Sequence, residues 1–226
     1  MPLSTMGYYL FMGFYVPASK KKDYRQDEQA LKEWVEVTYP KIVKQAEEEN
    51  AELWWLDEVG ARNTSNYIRG YAPRGKTPLL PIASHHIGVN MISAVTNSVG
   101  LRYDFYRGSF NSDIYTGFLM RLINTTDRKV FAIADNSSTH HSKAVQEWKE
   151  KQADCITIFN LPSYAPHLNP TEYLNNNLKH DLVKQGYSST ADEVETKARK
   201  VMRSFLSTKG RIASFFDNQN VRYAKF

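Results

Sequence analysis

The chain has 226 residues, 42% of them hydrophobic and 23% charged, with a formal net charge of +5 and a single cysteine. That length and apolar content support one substantial domain, or one domain with a small appendage, and argue against global disorder. The mild positive charge favours a polyanionic partner. The lone Cys155 excludes an internal disulfide and lacks the Cys or His neighbours of a zinc site. No apolar run approaches the roughly 20 residues a membrane helix needs. The opening MPLSTMGYYLFMGFYVP has no basic start and no cleavage site, so a soluble protein of a reducing cytoplasm is expected, with no membrane partner.

Lys20–Lys22 reads as a solvated linker. Beyond it Ala30, Leu31, Trp34 and Val35 recur at helical spacing. Pro40 is expected to end that helix, and Ile42, Val43 and Ala46 begin another. LWWLDE, an apolar run followed by two acids and Gly60, predicts a first buried strand closed by Asp57. YIRGYAPRGKTPLLPI reads as a loop or loose hairpin. HHIGVNMISAVTN and GLRYDFYRGSF then predict two strands joined near Asn97–Gly100. Ser112 or Asp113 is placed as the cap of a helix containing Ile114, Phe118, Leu119 and Leu122. VFAIAD is a strand, SKAVQEWKEK a helix, and CITIFNLP a strand in which Cys155 is expected to be buried. LPSYAPHLNP is a proline-punctuated loop, and Asn169 and Pro170 open a helix that reaches Lys184. A final helix places Ala191, Val194, Ala198, Val201, Met202 and Phe205 on one face. The order predicts an α/β fold: a mixed five-stranded sheet, three antiparallel strands and then parallel ones, flanked by helices on both faces.

Three acids fall at informative places in that scheme. Asp57 closes the first strand, Asp135 closes the fourth, and Glu172 lies in the first turn of the helix after the fifth. Open α/β sheets bind ligands beyond the carboxyl ends of their strands, so neighbouring first and fourth strands would bring these acids together. Clustered carboxylates repel and need protons or cations. Magnesium suits them, since it takes oxygen ligands and keeps positions open for phosphate. Each acid also has a structural reading: Glu172 closing a capping box with Asn169, Asp135 in an Asx turn, and Asp57 or Glu58 turning the chain toward Gly60.

Around these acids, DNSSTHHSKAVQEW and FNLPSYAPHLNPTEYLNNNLKHDL resemble transposases of bacterial insertion sequences related to mariner elements, and the insertion-sequence 630 family above all. WLDEVG matches that family's first motif and YAPRGKTP its loop, so the likeness covers roughly residues 50–185. The resemblance implies an RNase H-like fold and a DDE active site in which Asp57, Asp135 and Glu172 hold two magnesium ions, replaceable by manganese. It implies cleavage of double-stranded DNA at transposon ends, followed by attack of the freed 3′-hydroxyl on target DNA. A homodimer or larger assembly on DNA, in the bacterial cytoplasm at the nucleoid, goes with it. Arg74, Lys76, Asn136, His141 and Lys179 are assigned to DNA contact. Lys179, seven residues beyond Glu172, shares its helix face. Of the adjacent histidines, His141 is favoured over His140 to face the site. Two departures stand out. Asn175 occupies the position of a family tryptophan, which is expected to loosen the helix that carries Glu172. Residues 1–50 are read as the remnant of a DNA-binding region plus a helical linker, and residues 51–226 as the catalytic domain. A DNA-binding partner from an upstream frame, or a catalytically silent regulatory role, follows as an alternative expectation.

Overall fold

Trp55, Val59 and Ala61 alternate with Trp54 and Leu56 along β1 (Glu52–Arg62), and the two sets enter separate cores. Side chains of a strand point to opposite faces in turn, so β1 needs cover on both sides. The computed structural model describes residues 24–63, 87–208 and 210–225. The loop expected at YIRGYAPRGKTPLLPI, with Arg74 and Lys76, lies outside the described residues, as do His85, His86, Lys20–Lys22 and the opening segment. With β2 (Gly88–Val95), β3 (Leu101–Tyr106), β4 (Val130–Ala134) and β5 (Ile156–Asn160), the sheet order is β3-β2-β1-β4-β5. The first three strands are antiparallel, and β4 and β5 add in parallel, as the sequence predicts.

One face is covered by an N-terminal helical segment, by α5 (Pro170–Lys184) and by α6 (Ala191–Ser207). The α6 stripe of Val194, Ala198, Val201, Met202 and Phe205 is buried there. The opposite face is covered by α3 (Ser112–Ile123), through Tyr115, Phe118, Leu119 and Leu122, and by α4 (Lys143–Lys151), through Val145. β4 is buried on both faces, each large apolar side chain contributing roughly 1.5–3 kcal/mol.

The N-terminal segment comprises α1 (Glu28–Glu33), a π turn (Trp34–Thr38) and α2 (Tyr39–Glu48). It does not break at Pro40. The Tyr39 N–H reaches back five residues to the Trp34 carbonyl, and Pro40 falls in the first turn of α2, where its missing N–H is not called on. The segment expected to be a linker shares the main core. Tyr39, Trp55 and Tyr223 pack with ring centroids 4.9–5.8 Å apart, and the Trp34 indole N–H donates to the Tyr223 hydroxyl at 3.1 Å. That hydroxyl donates in turn to the Leu168 carbonyl at 2.8 Å, tying both ends of the described chain to the loop after β5.

Three local expectations are corrected. β1 continues past Asp57 to Arg62, because β2 pairs with it from Trp55 to Arg62 whereas β4 pairs only from Glu52 to Trp55. LWWLDE therefore marks the end of the parallel ladder, not of the strand. The cap of α3 is Asn111, whose side chain accepts the Ile114 N–H, and not Ser112 or Asp113. Cys155 is exposed, in the turn that precedes β5.

Candidate active site

The parallel register pairs Trp55 with Ile133, so Asp57 and Asp135 each lie two residues further along neighbouring strands. Two residues is one full strand period, which puts both on the face of Trp55 and Ile133, the face covered by α5. Glu172 projects from the first turn of α5, and all three acids line one cleft of about 400 Å³ with the Leu161–Pro166 loop.

The start of α5 is fastened to β1 by buried polar side chains. The Thr171 hydroxyl donates to the Trp55 carbonyl at 2.7 Å and the Asn169 amide to the Leu56 carbonyl at 2.8 Å. Asn169 also caps the helix by accepting the Thr171 N–H. A capping box would need the Asn169 N–H for Glu172, but that N–H donates to the Pro166 carbonyl at 2.9 Å. Among the described residues the Glu172 carboxylate has no hydrogen-bond donor, so it is left to the cleft.

Asp57 is held at both oxygens: Oδ1 accepts the Glu58 N–H at 2.9 Å, and Oδ2 accepts the Asn175 amide at 2.8 Å. Asn175 is 1% exposed. It does not loosen the helix as its sequence position suggests, since its polar group points inward onto an acid. Asp135 forms the expected Asx turn, Oδ1 accepting the Ser137 N–H at 3.1 Å. That turn does not compete with a role in the cleft, because Oδ2 stays without a donor among the described residues. Each carboxylate oxygen has two lone pairs, so Asp57 and Asp135 keep coordination capacity.

Burial pushes the Asp57 carboxyl well above the usual carboxylate range, and the charges of Glu172, Glu58 and Asp135 push it the same way. Burial also raises Glu172, against the opposing pull of Lys179. A cluster that resists ionisation is a cluster short of positive charge.

His140, 4% exposed, sits on the far side of Asp135. Its ring stacks on Tyr115 with centroids 4.2 Å apart, and Nδ1 donates to the Asp135 carbonyl at 3.0 Å. Nδ1 also lies 3.3 Å from Asp135 Oδ1, and Nε2 lies 3.4 Å from Glu58 Oε1. Burial disfavours the imidazolium, but the two carboxylates outweigh it and raise the His140 pKa. His140, not His141, thus packs against the acids. His141 is exposed and donates to the Asn136 carboxamide oxygen, while the Asn136 amide donates to Ser163 Oγ at 3.2 Å across the cleft loop. Glu58, Asp135 and His140 form the one group of three metal-ligating types found close together among the described residues. Its nitrogen suits softer divalent ions, whereas the all-oxygen set of Asp57, Asp135 and Glu172 fits magnesium or manganese.

Tyr164 in the cleft loop has φ 58, the left-handed region that costs an aromatic residue roughly 1–2 kcal/mol. The Gln26 amide donates to its carbonyl at 2.8 Å.

A mixed sheet thus presents three carboxylates in one cleft at the end of its parallel ladder, in an α/β scaffold. The family profile described as DDE superfamily endonuclease matches residues 52–195, and the chain belongs to that family. Its fold is RNase H-like, shared with Mos1 transposase. The Mos1 paired-end complex with the left transposon end aligns over 95% of this chain at 16% identity and a TM-score of 0.68. The mariner Mos1 paired-end complex with Mg aligns over 98% at 15% identity, covering 70% of that chain, with a TM-score of 0.63. The isolated Mos1 catalytic domain aligns over 94% at 14% identity, covering 99% of that chain, with a TM-score of 0.55. The chain spans 66% of the length of the transposase in the left-end complex. No curated protein matches it significantly. Among the described residues, no helix is long and apolar enough to cross a membrane.

Proposed function

We propose that this chain is the catalytic part of a DNA transposase of an insertion sequence, cutting double-stranded DNA at the element's ends and joining the freed 3′ end to target DNA. The observation that carries the reading is the convergence of Asp57, Asp135 and an uncapped Glu172 on one cleft. The solved relatives are transposase complexes, among them a Mos1 strand transfer complex and paired-end complexes with Mn and with Mg.

Asp57, Asp135 and Glu172 would together hold divalent ions in this cleft. Two such ions supply Lewis-acid activation of the attacking oxygen and charge neutralisation at the leaving oxygen. Asn175 and the Glu58 N–H orient Asp57; the Asx turn and His140 orient Asp135. Thr171 and Asn169 fix the helix start, so that Glu172 meets the strand acids at a set distance. Lys179 offsets charge beside Glu172 and is assigned, with Arg74, Lys76, Asn136 and His141, to the DNA backbone. The protein would act in the bacterial cytoplasm at the nucleoid, as a homodimer or larger assembly on DNA, with a further DNA-binding region or partner to recognise element ends.

The test is magnesium- or manganese-dependent nicking and joining of DNA by the wild-type chain and by Asp135→Asn. Loss of both activities in a variant that melts like wild type supports the reading. A wild-type chain that binds DNA but never cuts it with either metal would make it a silent regulator, and retained cutting in Asp135→Asn would refute the assignment.

A further inference from the structure

We infer that Tyr164 and Arg25, beside the acidic cleft, form a stacking platform for an unpaired nucleobase of the DNA strand being cut, an inference that rests on the transposase reading. Tyr164 lines the cleft together with Asp57, Asp135 and Glu172. The Arg25 guanidinium lies over the Tyr164 ring, 4.0 Å from its centroid, and 5.6 Å from the centroid of Tyr24. A column of ring, cation and ring therefore stands at the surface next to the acids.

Core packing does not account for this column. Tyr24 is 92% exposed, and Tyr164 remains 47% exposed even with Arg25 over it. Nor is the loop conformation one that suits tyrosine, since φ 58 at Tyr164 favours glycine. The Gln26 amide bond to the Tyr164 carbonyl links the segment that carries Arg25 to the loop that carries the ring. The strained tyrosine sets an aromatic face beside the reacting phosphate, where glycine would set none.

The chemistry of that face selects its ligand. Stacking on an aromatic ring accepts any base, but a base inside a duplex has both faces covered by its neighbours. The platform therefore takes a base that is displaced or at a strand end. Arg25 backs one face of the Tyr164 ring, and its positive charge lies where the phosphate of a stacked nucleotide would come. Holding the nucleotide next to the scissile bond would keep the strand from sliding past Asp57 and Asp135.

The test compares binding of a blunt duplex with that of the same duplex bearing an unpaired three-nucleotide 3′ extension containing 2-aminopurine. The full chain is used at low salt with magnesium. Wild type and Tyr164→Phe should bind the extended duplex more tightly and quench the 2-aminopurine emission. Tyr164→Gly relieves the left-handed strain and so should melt no lower than wild type, yet it should lose roughly 5- to 150-fold of the preference and most of the quench. Arg25→Gln should lose part of both. A Tyr164→Gly variant that keeps the preference and the quench overturns the inference. Wild type binding both duplexes equally overturns the platform alone, whereas wild type binding neither removes the transposase reading and the platform with it.

Discussion

Replacing Asn175 by leucine separates the hold on Asp57 from the packing of α5. The Asn175 amide donates to Asp57 Oδ2 at 2.8 Å, and its own Oδ1 is buried without a partner. Losing a hydrogen bond to a carboxylate costs about 1.5–3 kcal/mol, while removing an unpartnered buried oxygen returns about 1–3 kcal/mol. Leucine has the same number and branching of side-chain heavy atoms and extends the buried Leu174, Leu178 and Leu182 stripe. The two effects offset each other to within about 2 kcal/mol, so the melting temperature should move by less than about 8 °C, at about 2–4 °C per kcal/mol for a chain of this size. Metal binding should not cancel. A group that orients a ligand typically accounts for about 10- to 100-fold in affinity, and manganese titrated calorimetrically into Asn175→Leu should bind weaker by that factor. Manganese affinity within two-fold of wild type would refute the reasoning, because Asp57 would then be oriented without Asn175.

Three other predictions follow from the same cluster. In EDTA the protein should lose stability as pH rises above the ordinary carboxylate range. Asp57 and Glu172 are raised, so the folded state holds protons that the unfolded state has released, and His140, also raised, adds a contribution lost as pH rises through its folded value. Thermal melts of Asp57→Asn should show a flatter dependence and a higher melting temperature in EDTA at the alkaline end, and added magnesium should stabilise wild type but not the variant. His140→Ala should cost about 2–4 kcal/mol in urea unfolding, since it removes a buried ring stacked on Tyr115 and leaves Glu58 and Asp135 without their shared donor. Thr171→Val keeps the shape but removes the hydroxyl that donates to the Trp55 carbonyl, and should cost about 1 kcal/mol by the same measurement while weakening manganese binding.

The sheet was legible because its strands differ in texture. VFAIA is apolar at every position and proves buried on both faces, while β1 alternates between two cores. The period of two then carried Asp57 and Asp135 to one face, and the proline-bounded start of α5 carried Glu172 near them. What escaped was the polar support. Thr171 and Asn175 are four residues apart and border the Leu174–Leu178–Leu182 stripe, so their inward direction was available from helical spacing. A polar residue on a buried stripe needs a partner, and that partner is what the reading by propensity missed. His140 and His141 lie in a short 3-10 turn with no apolar stripe of its own, so nothing local separated the inward ring from the outward one. Glu58 adjoins Asp57 but points to the other face of β1, and its link to Asp135 runs through His140, a contact between distant segments.

The most direct test of the central claim is anomalous scattering from crystals of the wild-type chain grown with manganese. The account predicts manganese bound by Asp57 and Asp135, with Glu172 completing a second position in the same cleft. Manganese absent from all three acids, or bound only between Glu58 and His140, would contradict it.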